Sequence, residues 1–110
     1  MRGRAALIDD ASAKLAALDA VVAALAHPAR RQILLTIHFR GSVTAGDIAS
    51  RFAHKWPTTT RHLRVLEGAG LIAQERRGRT RVYTVDKSRL ALVSEWLGWF
   101  ESPAPDDCET

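Results

Sequence analysis

Cysteine is almost missing from this chain of 110 residues; Cys108 stands alone. One thiol cannot close an internal disulfide or build a multi-cysteine zinc site, so both common staples of small domains are excluded. The only resolving partner for its oxidation would be a second copy's Cys108. Long apolar runs are missing as well. Nothing approaches the roughly 18 apolar residues that a membrane span needs. The basic start Met1-Arg2-Gly3-Arg4 leads into four apolar residues that Asp9-Asp10 cut short, too few for the core of a signal peptide. The expected location is cytoplasmic, with no membrane partner. No nucleophile–base pairing, phosphate loop or paired-carboxylate arrangement stands out, so the chain is not expected to be an enzyme.

What is present describes one domain. Apolar residues make up 46% of the chain and charged residues 25%, close to globular averages, so a packed core is expected. A domain this small gains from association through an apolar helix. The net charge of +4 is unevenly placed. Between Ala26 and Val85 there are eleven Lys/Arg against three Asp/Glu, a local balance of +8, while the flanks carry five against nine, a balance of −4. A basic middle between acidic ends suits a module that binds a polyanion, although basic side chains can equally do no more than solvate a surface.

Helical spacing opens the chain. Ile8, Ala11, Leu15, Leu18, Val22 and Leu25 are separated by alternating steps of three and four, an a/d seam. So short a seam fits one part of a larger helical dimer interface, or a stripe packed on the chain's own core. His27-Pro28 starts a second helix, Ala29 to Phe39, with Ile33, Leu34 and Ile37 inward and Gly41 as its stop. Thr44 and Asp47 form a capping-box pattern that opens a short helix with Ile48, Ala49 and Phe52 on one face. After a turn, Pro57 begins a further helix, Thr58 to Gly68, with Leu63, Val65 and Leu66 as core positions and Gly70 as its left-handed terminator. The period then changes to twofold. Leu71 to Arg76 and Thr80 to Val85 read as strands joined at Arg77-Gly78-Arg79. Lys87 to Glu101 is a last helix with Leu90, Val93, Trp96, Leu97 and Phe100 on one face.

This order defines a mainly helical fold with a β-hairpin wing, a winged helix-turn-helix. The expected organisation is one domain over residues 1–101, with the helix-turn-helix at 44–71, the wing at 71–85, dimerisation helices at 1–25 and 87–101, and a flexible acidic tail at 102–110. The dimer interface is assigned to Ile8, Ala11, Leu15, Leu18, Val22, Leu92, Trp96 and Trp99. In such a unit the second helix enters the major groove of double-stranded DNA. Here it offers Thr58, Thr59 and Thr60, whose hydroxyls suit phosphates or bases, with Arg61, His62 and Arg64 beside them. An arginine can take guanine bidentately or pair with phosphate. The amides behind Pro57 suit a phosphate as well. Arg76, Arg77, Arg79 and Arg81 crowd the hairpin, placed for backbone contact or a narrow minor groove. An edge charged to block sheet pairing accounts for one or two of them, not readily for four.

These segments resemble the ArsR-type bacterial transcriptional repressors. The likeness is carried by Leu25-Ala26-His27-Pro28-Ala29-Arg30-Arg31-Gln32-Ile33-Leu34, by Thr60-Arg61-His62-Leu63-Arg64-Val65-Leu66-Glu67-Gly68-Ala69-Gly70-Leu71-Ile72, and by the arginine-rich wing ending in Val82-Tyr83. It runs from about Leu18 to Phe100. The resemblance implies a homodimer built from the first and last helices, bound to an inverted-repeat operator with half-sites about 10 bp apart. It places Thr58, Thr60, Arg61 and His62 in the DNA interface, to which Thr44 and Lys55 are added as candidates. Repression, as opposed to activation, rests on the likeness alone. The chain departs from the family pattern at His54 and Lys55, where a hydrophobic residue and a serine are usual, and at Thr59, where valine is common.

Many members of that family sense metals through paired cysteines on the short helix or Asp and His residues on the last one. Here residues 45–52 hold no cysteine and residues 87–101 no histidine. The remaining His27, His38 and His54, with His62, form no local ligand pattern, so no metal or other cofactor is expected. Trp96, Trp99 and Phe100 are expected in the core or dimer seam, with a small apolar effector pocket at that seam as the sharper alternative. A winged-helix protein-interaction module with only non-specific DNA affinity is the competing reading.

Overall fold

The computed structural model describes the backbone of residues 3–52 and 56–101, and the side chains of residues 11–52 and 57–101. Helices α1 (Gly3–Leu25) and α2 (Pro28–Arg40) are followed by a two-residue strand β1 (Val43–Thr44). Then come α3 (Ala45–Phe52), α4 (Trp56–Gly68), β2 (Ile72–Arg77), β3 (Thr80–Val85) and α5 (Leu90–Trp99). The order is the one expected, with β1 added. Two residues are too few for a twofold pattern, so β1 leaves no trace in the sequence. It pairs antiparallel with β3, Val43 opposite Tyr83 and Thr44 opposite Val82, giving a sheet of order β1-β3-β2.

Local chemistry sets the boundaries. His27 is the N-cap of α2: its Nδ1 accepts from the Ala29 N–H at 3.2 Å, and Pro28 occupies the first turn, where no amide is needed. Arg30 Nε donates to the Ala24 carbonyl at 2.7 Å and Arg31 Nη1 to that of Leu25 at 2.7 Å, satisfying the free carbonyl end of α1. The end of α4 is a Schellman closure. The Leu71 N–H donates to the Leu66 carbonyl and that of Gly70 to Glu67, with Gly70 at φ 78°. An added Cβ at Gly70 would also meet the Arg89 side chain at 3.0 Å. The hairpin turns on Gly78 (φ 63°) and Arg79, between the paired Arg77 and Thr80.

One core joins these pieces. Val21 and Ala24 of α1, Ile33, Leu34 and Ile37 of α2, Ile48 of α3, and Leu63 and Leu66 of α4 pack with Val43, Leu71, Ile72 and Tyr83. The described residues span 57 × 36 × 22 Å, elongated by the 23-residue α1. α1 meets α5, where Lys14 Nζ and Glu95 Oε1 lie 2.9 Å apart. Such an exposed pair contributes at most about 1 kcal/mol.

Three expectations need correction. Leu18 is buried in its own protomer, since α1 carries a second apolar stripe, Leu18, Val21 and Ala24, which faces the core; Leu15 and Val22 stay exposed. Val65 is 36% exposed and is not a core position. The last helix starts at Leu90 and not at Lys87, because Asp86 Oδ1 accepts from both the backbone N–H and the hydroxyl of Ser88 and holds a turn. The side chain of Ile8, together with Lys55, His54, Cys108 and the expected tail at 102–110, lies outside the described residues.

Candidate nucleic-acid interface

The helix-turn-helix opens on a reciprocal pair of hydrogen bonds. The Asp47 N–H donates to Thr44 Oγ1 at 3.1 Å, and the Thr44 N–H donates to Asp47 Oδ2 at 3.1 Å. This closes the capping box with aspartate in the third position. Those bonds, the Thr44 backbone N–H first and its side chain next, hold the Asp47 carboxyl below its usual range. Thr44 is thus fixed between β1 and α3, half-buried at the mouth of an open cleft of about 700 Å³. Thr60 of α4 and Arg79 and Arg81 of the wing line the same cleft, and Tyr83 forms part of its floor. Burial raises the Tyr83 hydroxyl above its usual range.

Around α4 the polar residues divide. Arg61 and Arg64 are exposed, Thr58 and Thr60 are half-buried, and Pro57, Thr60, Arg61 and Arg64 line one surface recess. Thr59 is 0% exposed and His62 6%. Both face the core beside Leu63 and Leu66, so the expectation that they reach DNA is corrected. Thr59, His62, Leu63 and Leu66 recur at i, i+3, i+4 and i+7, which is the buried stripe of an amphipathic helix whatever their polarity. The Thr59 hydroxyl has no hydrogen-bond partner among the described residues.

The wing arginines divide in the same way. Arg76 and Arg81 stand directly opposite each other across β2 and β3. By alternation they share the sheet face on which Gln74 Nε2 reaches Glu67 Oε2 of α4 at 2.8 Å. Like charges directly opposite destabilise a sheet, and a polyanion laid on that face would relieve them. Arg77 points to the other face, where Glu75 Oε1 accepts from its Nε at 2.8 Å, and Arg79 sits at the tip. Arg30 and Arg31, part of the basic middle by count, reach back to the end of α1.

Apolar exposure is concentrated elsewhere. Leu15 (49%) and Val22 (51%) of α1 lie open, and on α5 Trp96 is 38% and Trp99 57% exposed. Leu15, Leu18, Val22 and Trp96 line a surface groove. Ala11 is exposed and Leu92 half-buried. The recess between Leu15, Leu18, Leu92, Trp96 and Trp99 holds only about 20 Å³, space for one water, while the open groove beside it has about 390 Å³. Among the described residues no group of three or more His, Cys, Asp or Glu could hold a metal ion, and no helix is long and apolar enough to cross a membrane.

A short helix, a second helix that begins four residues on and has an arginine-bearing outer face, and a three-stranded wing together make a winged helix-turn-helix DNA-binding unit. Comparison with known proteins agrees: a helix-turn-helix domain family matches residues 25–75. The transcriptional repressor SdpR of Bacillus subtilis (strain 168) is 31% identical over 90 residues, 82% of this chain and 99% of that protein. The crystal structure of an ArsR family transcriptional regulator superposes with a TM-score of 0.71 at 30% identity, over 80% of this chain and 94% of that one. A homodimeric winged helix-turn-helix DNA-binding domain from Mycobacterium bovis shares the fold, with a TM-score of 0.62 at 24% identity, over 92% of this chain and 87% of that one. The chain belongs to the ArsR family of winged helix-turn-helix transcriptional regulators.

Proposed function

We propose that the chain works as a homodimeric repressor that binds a twofold-symmetric operator and occludes a promoter. The observation that carries this reading is the position of Thr60 on α4, which lines both the open cleft shared with Arg79 and Arg81 of the wing and the recess formed with Arg61 and Arg64. In it, Arg61 and Arg64 read base edges in the major groove, Thr58, Thr60 and Thr44 bond phosphates, and the wing arginines hold the flanking backbone. Lys55 joins the phosphate contacts. Arg77, paired with Glu75, contributes least.

Assembly follows from the open apolar face. Ala11, Leu15, Val22, Trp96 and Trp99 on α1 and α5 cover the same residues of a second copy, an isologous interface that presents two α4 helices about one duplex turn apart. The similarity to a repressor in one case and to a homodimeric DNA-binding domain in another supports this assignment. The site lies inside the cell, where the DNA is.

Selection of bound duplexes from a random library, then titration of the winner at two salt concentrations, tests the proposal. An inverted repeat bound at one dimer per duplex is expected. Uniform weak binding abolished by salt would replace the operator reading with that of a protein-interaction module.

A further inference from the structure

His62 belongs to α4 but is buried, and its neighbour comes from the α1–α2 junction. The His27 ring, N-cap of α2, lies with its centroid 4.8 Å from that of His62, the planes tilted by 58°. His27 is itself tightly placed: Nδ1 accepts from Ala29, and the residues around it are tied to α1 through Arg30 to Ala24 and Arg31 to Leu25. The contiguous path therefore runs from α1, which carries the open apolar seam, through the α1–α2 junction, to the inner face of α4. Its two aromatic rings bridge separate elements at a spacing where ring pairs attract beyond simple burial.

We propose that the His27–His62 contact is a joint that sets the tilt of α4 against the α1–α2 junction, which makes His62 a positioning residue for operator recognition. The proposal rests on the operator-binding reading above. The joint does not touch DNA. It holds Arg61, next to His62 in the chain, and Arg64 at the angle that base contact requires, so its loss reduces specific binding while the general attraction of the arginines for phosphate persists.

His27→Asn is the decisive variant, since asparagine retains an N-cap acceptor for Ala29 but removes the ring from an exposed position. Expected are a melting temperature lowered by no more than a few degrees, unchanged affinity for a non-operator duplex, and operator affinity lower by about five- to tenfold. His62→Leu keeps buried apolar volume, and adding His27→Asn to it should give no loss beyond that of His62→Leu alone, because the ring contact is already gone. A folded His27→Asn protein with undiminished operator affinity, or losses that multiply in the double variant, overturns the joint. Absence of any specific complex for the unaltered protein overturns the operator reading itself, and the joint with it. The His27→Asn result stands alone even where His62→Leu does not fold.

Discussion

Two helices of this chain treat polarity in opposite ways. α4 buries a threonine and a histidine completely or nearly so, while α5 leaves Trp99 57% and Phe100 72% exposed and has no buried residue at all. Angular position explains the first: Thr59 and His62 fall on the stripe that Leu63 and Leu66 define. It explains only half of the second. Leu90 and Val93 of α5 pack on the core and Trp96 borders Leu15 and Leu18 of α1, whereas Phe100 meets Trp96 edge to face at 5.0 Å and stays 72% exposed. A side chain whose polarity opposes its surroundings costs stability. In α4 the buried histidine is the one assigned to the proposed joint, and in α5 the open surface is the one assigned to the proposed dimer.

The sharpest way to break this comparison is at α5. Trp99→Ala removes a large ring that contributes little to the protomer's own core, so the isolated chain should fold normally. Dimerisation should weaken by about 2–4 kcal/mol, the range of a central aromatic anchor. Sedimentation equilibrium across a concentration series measures this directly. A variant as dimeric as the unaltered protein would remove α5 from the interface and leave its exposed tryptophans without a task. On α4 the counterpart is Arg64→Ala, on the outer face. Operator affinity should fall by about 1–3 kcal/mol with relaxed base preference at one position per half-site, while thermal stability moves by less than about 0.5 kcal/mol. An equal loss on all sequences would make Arg64 a phosphate contact instead.

Most of the fold was legible because its signals are local. Proline after His27, glycine at positions 41, 70 and 78, and the Thr44–Asp47 spacing each mark a boundary that the structure places within a few residues of expectation. The site was less legible, for a physical reason. Thr59 and His62 are polar, and in a run such as Thr58–Arg64 polarity suggests the outside, yet the helical period assigns them to the inside. The Leu63 and Leu66 spacing was the signal available, extended backwards by one turn. Other features depend on distant partners and leave no local mark: the strand β1, the inner stripe of α1, and the two arginines tied to α1's last carbonyls.

Thr59→Val narrows the comparison to one atom. Valine matches threonine in shape and β-branching, and the hydroxyl it replaces has no partner among the described residues. Stability should be unchanged or rise by up to about 1 kcal/mol, with operator affinity unaltered because the side chain faces inward. A drop in operator affinity without a drop in melting temperature would return Thr59 to the DNA-facing set.

The smallest effect is expected at the entrance to the helix-turn-helix, where a charged residue is fully exposed and still structural. Asp47 has its carboxyl held below the ordinary value of 3.8 by hydrogen bonds from Thr44. The folded state therefore favours the ionised form more than the unfolded chain does. Its contribution is fully present above pH 3.8 and is lost as pH falls through the lower folded value. Asp47→Ala should lower the melting temperature slightly at neutral pH, and the gap to the unaltered protein should close in acid. The same substitution also removes a negative charge from the mouth of the arginine-lined cleft. Weaker capping and a more positive cleft thus pull operator affinity in opposite directions, and the two separate by salt: the electrostatic gain fades as ionic strength rises, while the loss of the cap does not. A melting difference of the same size at every pH would mean that the Thr44–Asp47 bonds do not depend on the carboxylate charge, and that Asp47 caps by shape alone.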